Sequence, residues 1–281
     1  MATATNIVQL QAQISTQYPN LSKRLQQVAS YVLKNNQSLA FDTIADISVQ
    51  ANVPPSTLIR FAKAFEFSGF NEIKLLFRQD LIEETASYTD RVRLYKTLET
   101  NPIPLEKPLP ILQEFARVNS EAMNQLATQT PEDQLELAVE ILSESENIYI
   151  IGLRRSYSTA AYLTYALRHV GRRAFLIDGL GGMFDEQLSM IGANDVVLSI
   201  SFSPYAKETL SLSEEASKKG AKQIIITDSH VSPLAAYSNV CFVVNEGKVD
   251  AFRSQSASLC LVQSMAVALA FHDSKNATSD T

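Results

Sequence analysis

The sequence predicts an all-α helix-turn-helix N-terminal domain joined to an α/β domain built on a doubly wound, five-stranded parallel sheet. Three observations predict it. Up to about residue 82, apolar residues recur at helical spacing. From Asn147 onward, continuous apolar runs alternate with helical stretches, the pattern of a parallel sheet covered on both faces. Between the two regions, Asn101–Pro110 carries four prolines in ten residues, which reads as a semi-rigid linker.

In chain order, Leu21, Leu25, Val28, Ala29 and Val32 mark a first helix, with Pro19, Asn20 and Ser22 as its start signals. Thr43–Ala51 and Pro55–Phe65 fit two further helices, Gly69 breaks the chain, and Phe70–Ile82 fits a fourth. Beyond the prolines, Ile111, Phe115, Val118, Ala122 and Leu126 form a helical stripe, and Thr130–Asp133 opens another helix with Thr as N-cap and Pro in the first turn. Predicted strands occupy 148–152, 174–177, 196–201, 223–227 and 241–244, with helices around Ser156–Val170, Ala206–Lys219, Pro233–Ser238 and Ser254–Phe271. The expected division is a helix-turn-helix domain at 1–85, a linker and connecting helix at 86–130, the α/β domain at 131–272 and a polar tail at 273–281.

Hydrophobic residues at 46% and charged residues at 19% describe a globular chain rather than a disordered one. No uninterrupted apolar run reaches the roughly 18 residues of a membrane span, and the start lacks the pattern of a secretory leader. A cytoplasmic protein with no membrane partner is therefore expected. Cys241 and Cys260 fall in apolar segments and read as buried free thiols of a reducing compartment. No Cys/His cluster has metal-ligand spacing, and no cofactor is expected. The net charge of -6 divides unevenly: residues 1–78 carry seven Lys/Arg against four Asp/Glu, a balance of +3, and the remainder carries -9. Phosphate neutralisation depends on the field of the docking face, not on total charge.

The segment Thr43–Phe65 carries the first chemical expectation. Ile44 and Ile47 face inward, Asn52 suits a left-handed turn residue, and Val53 plugs the gap between helices. Leu58, Phe61, Ala62 and Phe65 form the inward stripe of the second helix. That leaves Ser56, Thr57, Arg60 and Lys63 for an outward face free of acids, suited to a DNA major groove, with Lys74 and Arg78 adding backbone contacts. An ordinary helical pair with a solvated basic face, or a protein-docking module, fits the same pattern.

In open parallel sheets ligands bind beyond the carboxyl ends of the strands. After the first strand comes Gly152-Leu153-Arg154-Arg155-Ser156; after the third comes Ser201-Phe202-Ser203-Pro204-Tyr205-Ala206. A helix start with glycine, hydroxyls and two guanidinium groups favours an anion. Helix capping by the serines and solvation of the arginines are the alternatives. His230 follows the fourth strand and Glu208 lies next to the serine loop, and neither has an evident nucleophile or metal partner.

Together these residues resemble the RpiR (MurR/RpiR) regulators, which join a helix-turn-helix to a SIS, sugar-isomerase-like, domain. Thr57-Leu58-Ile59-Arg60-Phe61 resembles the family's recognition helix, and Phe67-Ser68-Gly69-Phe70 with Ile73-Lys74 its following turn and helix. Gly152 and Ser156 match the ends of the SIS phosphate loop, Ser201 and Ser203 its paired serines, and Gly220-Ala221-Lys222 and Ser232-Pro233-Leu234-Ala235 are also family-like. The resemblance implies an α/β SIS domain, a double-stranded DNA operator, a homodimer or homotetramer, no catalysis, and a sugar phosphate as effector. Departures stand beside it: Pro204-Tyr205-Ala206 replaces the usual Gly-x-Thr, although Thr209 follows one turn later. Arg154 and Arg155 replace small residues, so a sugar acid or another anion is an equal expectation. Pro54 replaces a serine N-cap, and Glu66 replaces a glycine. The expected ligand set is Gly152, Arg154, Arg155, Ser156, Ser201, Ser203, Tyr205 and Thr209. A SIS-type sugar-phosphate isomerase or lyase with an accessory helical domain is the alternative.

Overall fold

The structure, a computed structural model, describes residues 3–4, 6–84, 87–90, 92, 107–250 and 252–279. The chain divides into two units, Met1–Leu105 and Glu106–Thr281.

In the first unit, α1 (Ile7–Gln17) starts where the Asn6 side chain accepts a hydrogen bond from the Gln9 N–H at 2.9 Å. Its buried residues, Ile7, Leu10 and Ile14, follow helical spacing that the sequence reading passed over. Helices α2 (Lys23–Lys34), α3 (Asn36–Phe41), α4 (Ile44–Gln50), α5 (Pro55–Ala64) and α6 (Phe70–Glu84) follow. Thr43 and Asp46 form a reciprocal capping box at the start of α4. The core is one apolar cluster, with Leu10, Val32, Leu39, Ile47, Leu58, Phe61 and Phe77 among its fully or almost fully buried members.

In the second unit, α7 (Pro108–Gln129) replaces part of the expected linker. Residues 101–106 lie outside the described residues, but Pro108 and Pro110 form the first turn of a helix, where a missing N–H costs nothing. Helix α8 (Glu132–Glu144) then leads into β1 (Ile148–Gly152), α9 (Tyr157–His169), β2 (Ala174–Ile177), α10 (Phe184–Ser189), β3 (Val196–Ile200), α11 (Lys207–Lys218), β4 (Lys222–Thr227) and β5 (Val240–Val243). Pro233–Ser238, expected as a helix, forms only a 3-10 turn at Ala235–Tyr237. A small antiparallel pair, β6 (Lys248–Val249) and β7 (Phe252–Arg253), precedes α12 (Ser256–Ser279).

All five long strands are parallel, in the order β2-β1-β3-β4-β5. Their side chains alternate between faces. Ile148, Ile150, Leu198 and Ile224 pack with α8, α9 and α12, while Tyr149, Ile151 and Val197 pack with α10 and α11. The sheet is thus doubly wound, as the sequence predicts. Helix α12 passes the length and composition of a membrane span over Ser256–Lys275 despite its polar interruptions. In the fold, its Ala257, Leu261, Met265 and Leu269 are buried in this core.

Candidate functional site

The expected site residues fall in two places in the fold, one in each unit. In the first unit the turn between α4 and α5 is tightly built. Asn52 takes a left-handed conformation, φ 53°, the Ser48 hydroxyl donates to the Val53 carbonyl at 2.7 Å in a buried position, and the Val53 N–H returns to the Ser48 carbonyl at 3.0 Å. Glu66, just after α5, is also left-handed at φ 64°, a conformation that glycine adopts without steric cost. With Leu58, Phe61 and Ala62 fully buried, Ser56, Arg60 and Lys63 are left exposed on the opposite side of α5. Ile59, half-exposed, shares that side and gives it an apolar patch.

Two members of the expected DNA-contacting set, placed on an outward face by the sequence, lie buried. Thr57 is buried in the first turn of α5, because the helix starts at Pro55 and its phase turns this position inward. Lys74 is 6% exposed and donates from Nζ to the Asp42 carbonyl at 2.5 Å. Burial, then the neighbouring Arg78, pushes its pKa below the usual lysine value. Arg78 donates from Nε to the Ala40 carbonyl at 2.9 Å. Both cations thus serve carbonyls at the end of α3, where positive charge is favoured. Arg24 is the residue the sequence reading missed. It is exposed on α2, and its guanidinium reaches the Asn52 carbonyl of the turn at 3.4 Å. No sequence pattern signals that contact, because it joins positions 28 apart.

In the second unit, strand order decides which loops meet. The chain leaves β1 for β2 on one side and β3 for β4 on the other, so the topology switches between β1 and β3, where such sheets open a crevice. Gly152 pairs with Ile200 in register, so the loops after them emerge side by side, roughly one strand spacing of about 4.8 Å apart. Gly152 permits the close return of its loop: a Cβ there would lie 2.7 Å from the Ala160 Cβ and 2.8 Å from the Ser156 carbonyl oxygen. Arg154 is exposed and left-handed at φ 55°, Arg155 is half-buried, and Ser156 is buried.

Across the switch point, Ser201 and Ser203 are both buried, and Phe202 lies between them. The Ser201 N–H donates to the Ile226 carbonyl at 3.0 Å, and the Ser203 N–H donates to an Asp228 carboxylate oxygen at 3.2 Å. Tyr205 donates its hydroxyl to the other Asp228 oxygen at 2.7 Å, and burial with that carboxylate nearby raises its pKa well above the ordinary value. Tyr205 therefore pins the serine loop to the end of β4. Thr209, in the first turn of α11, is fully buried, and its hydroxyl has no hydrogen-bond partner.

Three further residues crowd this end of the sheet without a sequence signal. Arg253 of β7 stacks over the Phe202 ring, 4.3 Å from its centroid. Glu246 accepts the Ala257 and Ser258 N–H groups at 3.1 and 2.8 Å, capping α12, and burial raises its pKa. Gln255 accepts from the Ser158 hydroxyl at 2.5 Å, tying the start of α9 to the start of α12. His230 and Glu208 are exposed. Cys241 and Cys260 are free and half-buried rather than buried, Cys241 because it lies on the edge strand. Among the described residues, no group of three His, Cys, Asp or Glu side chains is placed to hold a metal.

Comparison with known proteins agrees with this fold. The profile of the helix-turn-helix domain of the rpiR family matches residues 8–84, and that of the SIS domain matches residues 141–273. An HTH-type transcriptional regulator of Haemophilus influenzae, itself uncharacterized, is 26% identical over 245 residues, covering 86% of this chain and 81% of that protein. Two solved structures share the fold. The sugar isomerase domain of the RpiR transcription factor from Sphaerobacter thermophilus has a TM-score of 0.56 at 24% identity, over 62% of this chain and 96% of that one. The Vibrio vulnificus NanR protein, complexed with ManNAc-6P, has a TM-score of 0.56 at 23% identity, over 96% of this chain and 97% of that one.

Proposed function

Since the chain belongs to the rpiR family of helix-turn-helix transcriptional regulators and carries a SIS domain, we propose that it binds an operator through α5 and that a small anion at the β1 and β3 loops alters that binding. The observation that carries the reading is the switch point: it brings Arg154, Arg155 and Ser156 beside Ser201 and Ser203. The two adjoining loops carry buried hydroxyls, the start of a helix and two arginines, residue types matched to a phosphate or carboxylate. The NanR relative is complexed with a sugar phosphate, which supports a sugar phosphate or sugar acid as the class of effector. Thr209, with its unpartnered hydroxyl, belongs to the same set.

The DNA-facing set is Ser56, Arg60 and Lys63, with Arg24 beside the turn. The protein acts in the cytoplasm as a homodimer or homotetramer. Leu259, Val267 and Phe271 leave an apolar stripe exposed on α12, and a second copy covers it. Binding without turnover accords with relatives that are named as transcriptional regulators.

The coupling is linkage: an effector that prefers one arrangement of the oligomer shifts the population whose recognition helices fit the operator. A mobility-shift assay on DNA flanking the protein's own gene, with and without sugar phosphates and sugar acids, tests it. A shift that responds to at least one such anion, and loses that response in Ser201→Ala with Ser203→Ala, is the expected result. A shift indifferent to all of them refutes the proposal.

A further inference from the structure

A cavity lies at the β5 edge of the sheet, apart from the β1–β3 switch point. It encloses about 300 Å³ between the C-terminal half of α7, the start of α8 and edge strand β5, a size within the range of small-molecule sites. Gln125 and Gln129 project from one face of α7, four positions apart, and Gln134 sits in the first turn of α8. Asn245, His230 and Thr130 add to the polar lining, while Leu126 and Phe242 supply apolar surface.

The lining decides the class of ligand by what it lacks. Among the described residues no Lys, Arg, Asp or Glu lines the cavity, and His230 is its one basic side chain, so no permanent charge faces a ligand there. The positive end of α8 is offset by Glu132 and Asp133 in its own first turn, which disfavours an anion further. Primary carboxamides each offer a donor and an acceptor, the same pairing that a hydroxyl presents. Four of them beside an apolar wall suit a neutral molecule rich in hydroxyls, whose C–H face rests on Leu126.

We propose that this cavity is a second ligand site, distinct from the anion loops, and that it takes a neutral polyhydroxy compound such as an unphosphorylated sugar or polyol. It abuts α7, the first helix of the SIS unit, so occupancy braces the segment by which the chain enters that unit. The site is independent of the anion-binding reading, and either stands if the other fails.

Saturation-transfer NMR on the full chain, with D-glucose, D-mannitol and myo-inositol as probes at millimolar concentration, tests the proposal. At least one probe is expected to receive saturation. Gln125→Leu with Gln129→Leu, both exposed on α7 and so tolerable to the fold, is expected to weaken binding about tenfold or more through lost hydrogen bonds. Ser201→Ala with Ser203→Ala is expected to leave it unchanged. No transfer to any of the three probes overturns the proposal, as does transfer that survives the glutamine pair. Transfer lost in the serine pair instead would place neutral sugars in the strand-end loops, which also overturns it.

Discussion

Lys74 and Arg60 lie in the same domain and carry the same charge, yet Lys74 is buried and Arg60 exposed, and two substitutions separate the roles proposed for them. Lys74→Met keeps the length of the side chain but removes the ammonium that donates to the Asp42 carbonyl at 2.5 Å. A charge-assisted hydrogen bond contributes about 1.5–3 kcal/mol net. The desolvation that depresses the Lys74 pKa is relieved at the same time, so the loss is on the order of 1–2 kcal/mol. For a helical domain of this size that lowers its melting temperature by roughly 5–10 °C. Arg60 is exposed on α5, so Arg60→Ala is expected to leave the melting temperature unchanged and, if α5 docks on DNA as proposed, to weaken DNA binding by about 1–3 kcal/mol.

The assays are calorimetric unfolding of the full chain and DNA affinity measured across a salt series. If Arg60 holds a phosphate, its loss lowers the slope of log affinity against log salt by about 0.9 for each protomer bound, whereas Lys74→Met leaves the slope intact. A lowered slope in Lys74→Met with an unchanged melting temperature would refute the assignment of Lys74 to the interior.

Other consequences are as direct. Gly152→Ala forces a Cβ to within 3 Å of Ala160 and the Ser156 carbonyl; effector binding, read by isothermal titration, is expected to be lost, with destabilisation of about 1–3 kcal/mol. Glu246, its pKa raised by burial, binds its proton more readily in the folded chain than in the unfolded one. It therefore stabilises the fold most below the ordinary glutamate range, and that contribution fades as pH rises through the window just above it. Glu246→Gln is expected to flatten unfolding free energy against pH in that window, and an identical slope in both proteins contradicts the assignment. Phe271→Glu with Val267→Glu places charge on the exposed stripe of α12; light scattering is expected to show a smaller assembly, and an unchanged mass would remove α12 from the interface.

The parallel sheet was legible because buried strands such as IYIIG and QIIIT read as unbroken apolar runs, and the turn of the helix-turn-helix because Asn52 and Val53 fit its geometry. Strand order was not legible, since local pattern says nothing about which strands are neighbours, and that order is what brings the Arg154 and Ser201 loops together. Thr57 and Lys74 misled for a similar reason. Residue type placed them on a surface, while helix phase and a carbonyl 32 residues away placed them inside. Arg253 and Gln255 gave no signal, because two-residue strands and contacts between side chains some 50 to 100 positions apart leave no periodic trace.

On the proposed mechanism one small anion, held at the β1–β3 switch point, changes how tightly α5 grips DNA. Fluorescence anisotropy of a labelled operator fragment, titrated with the full chain at fixed salt with and without a saturating sugar phosphate or sugar acid, tests it most directly. The account predicts a changed dissociation constant that reverts to the ligand-free value in Ser201→Ala with Ser203→Ala, and an Arg60→Ala variant that binds DNA weakly yet retains the anion. Tight anion binding that leaves the DNA titration unmoved would contradict it.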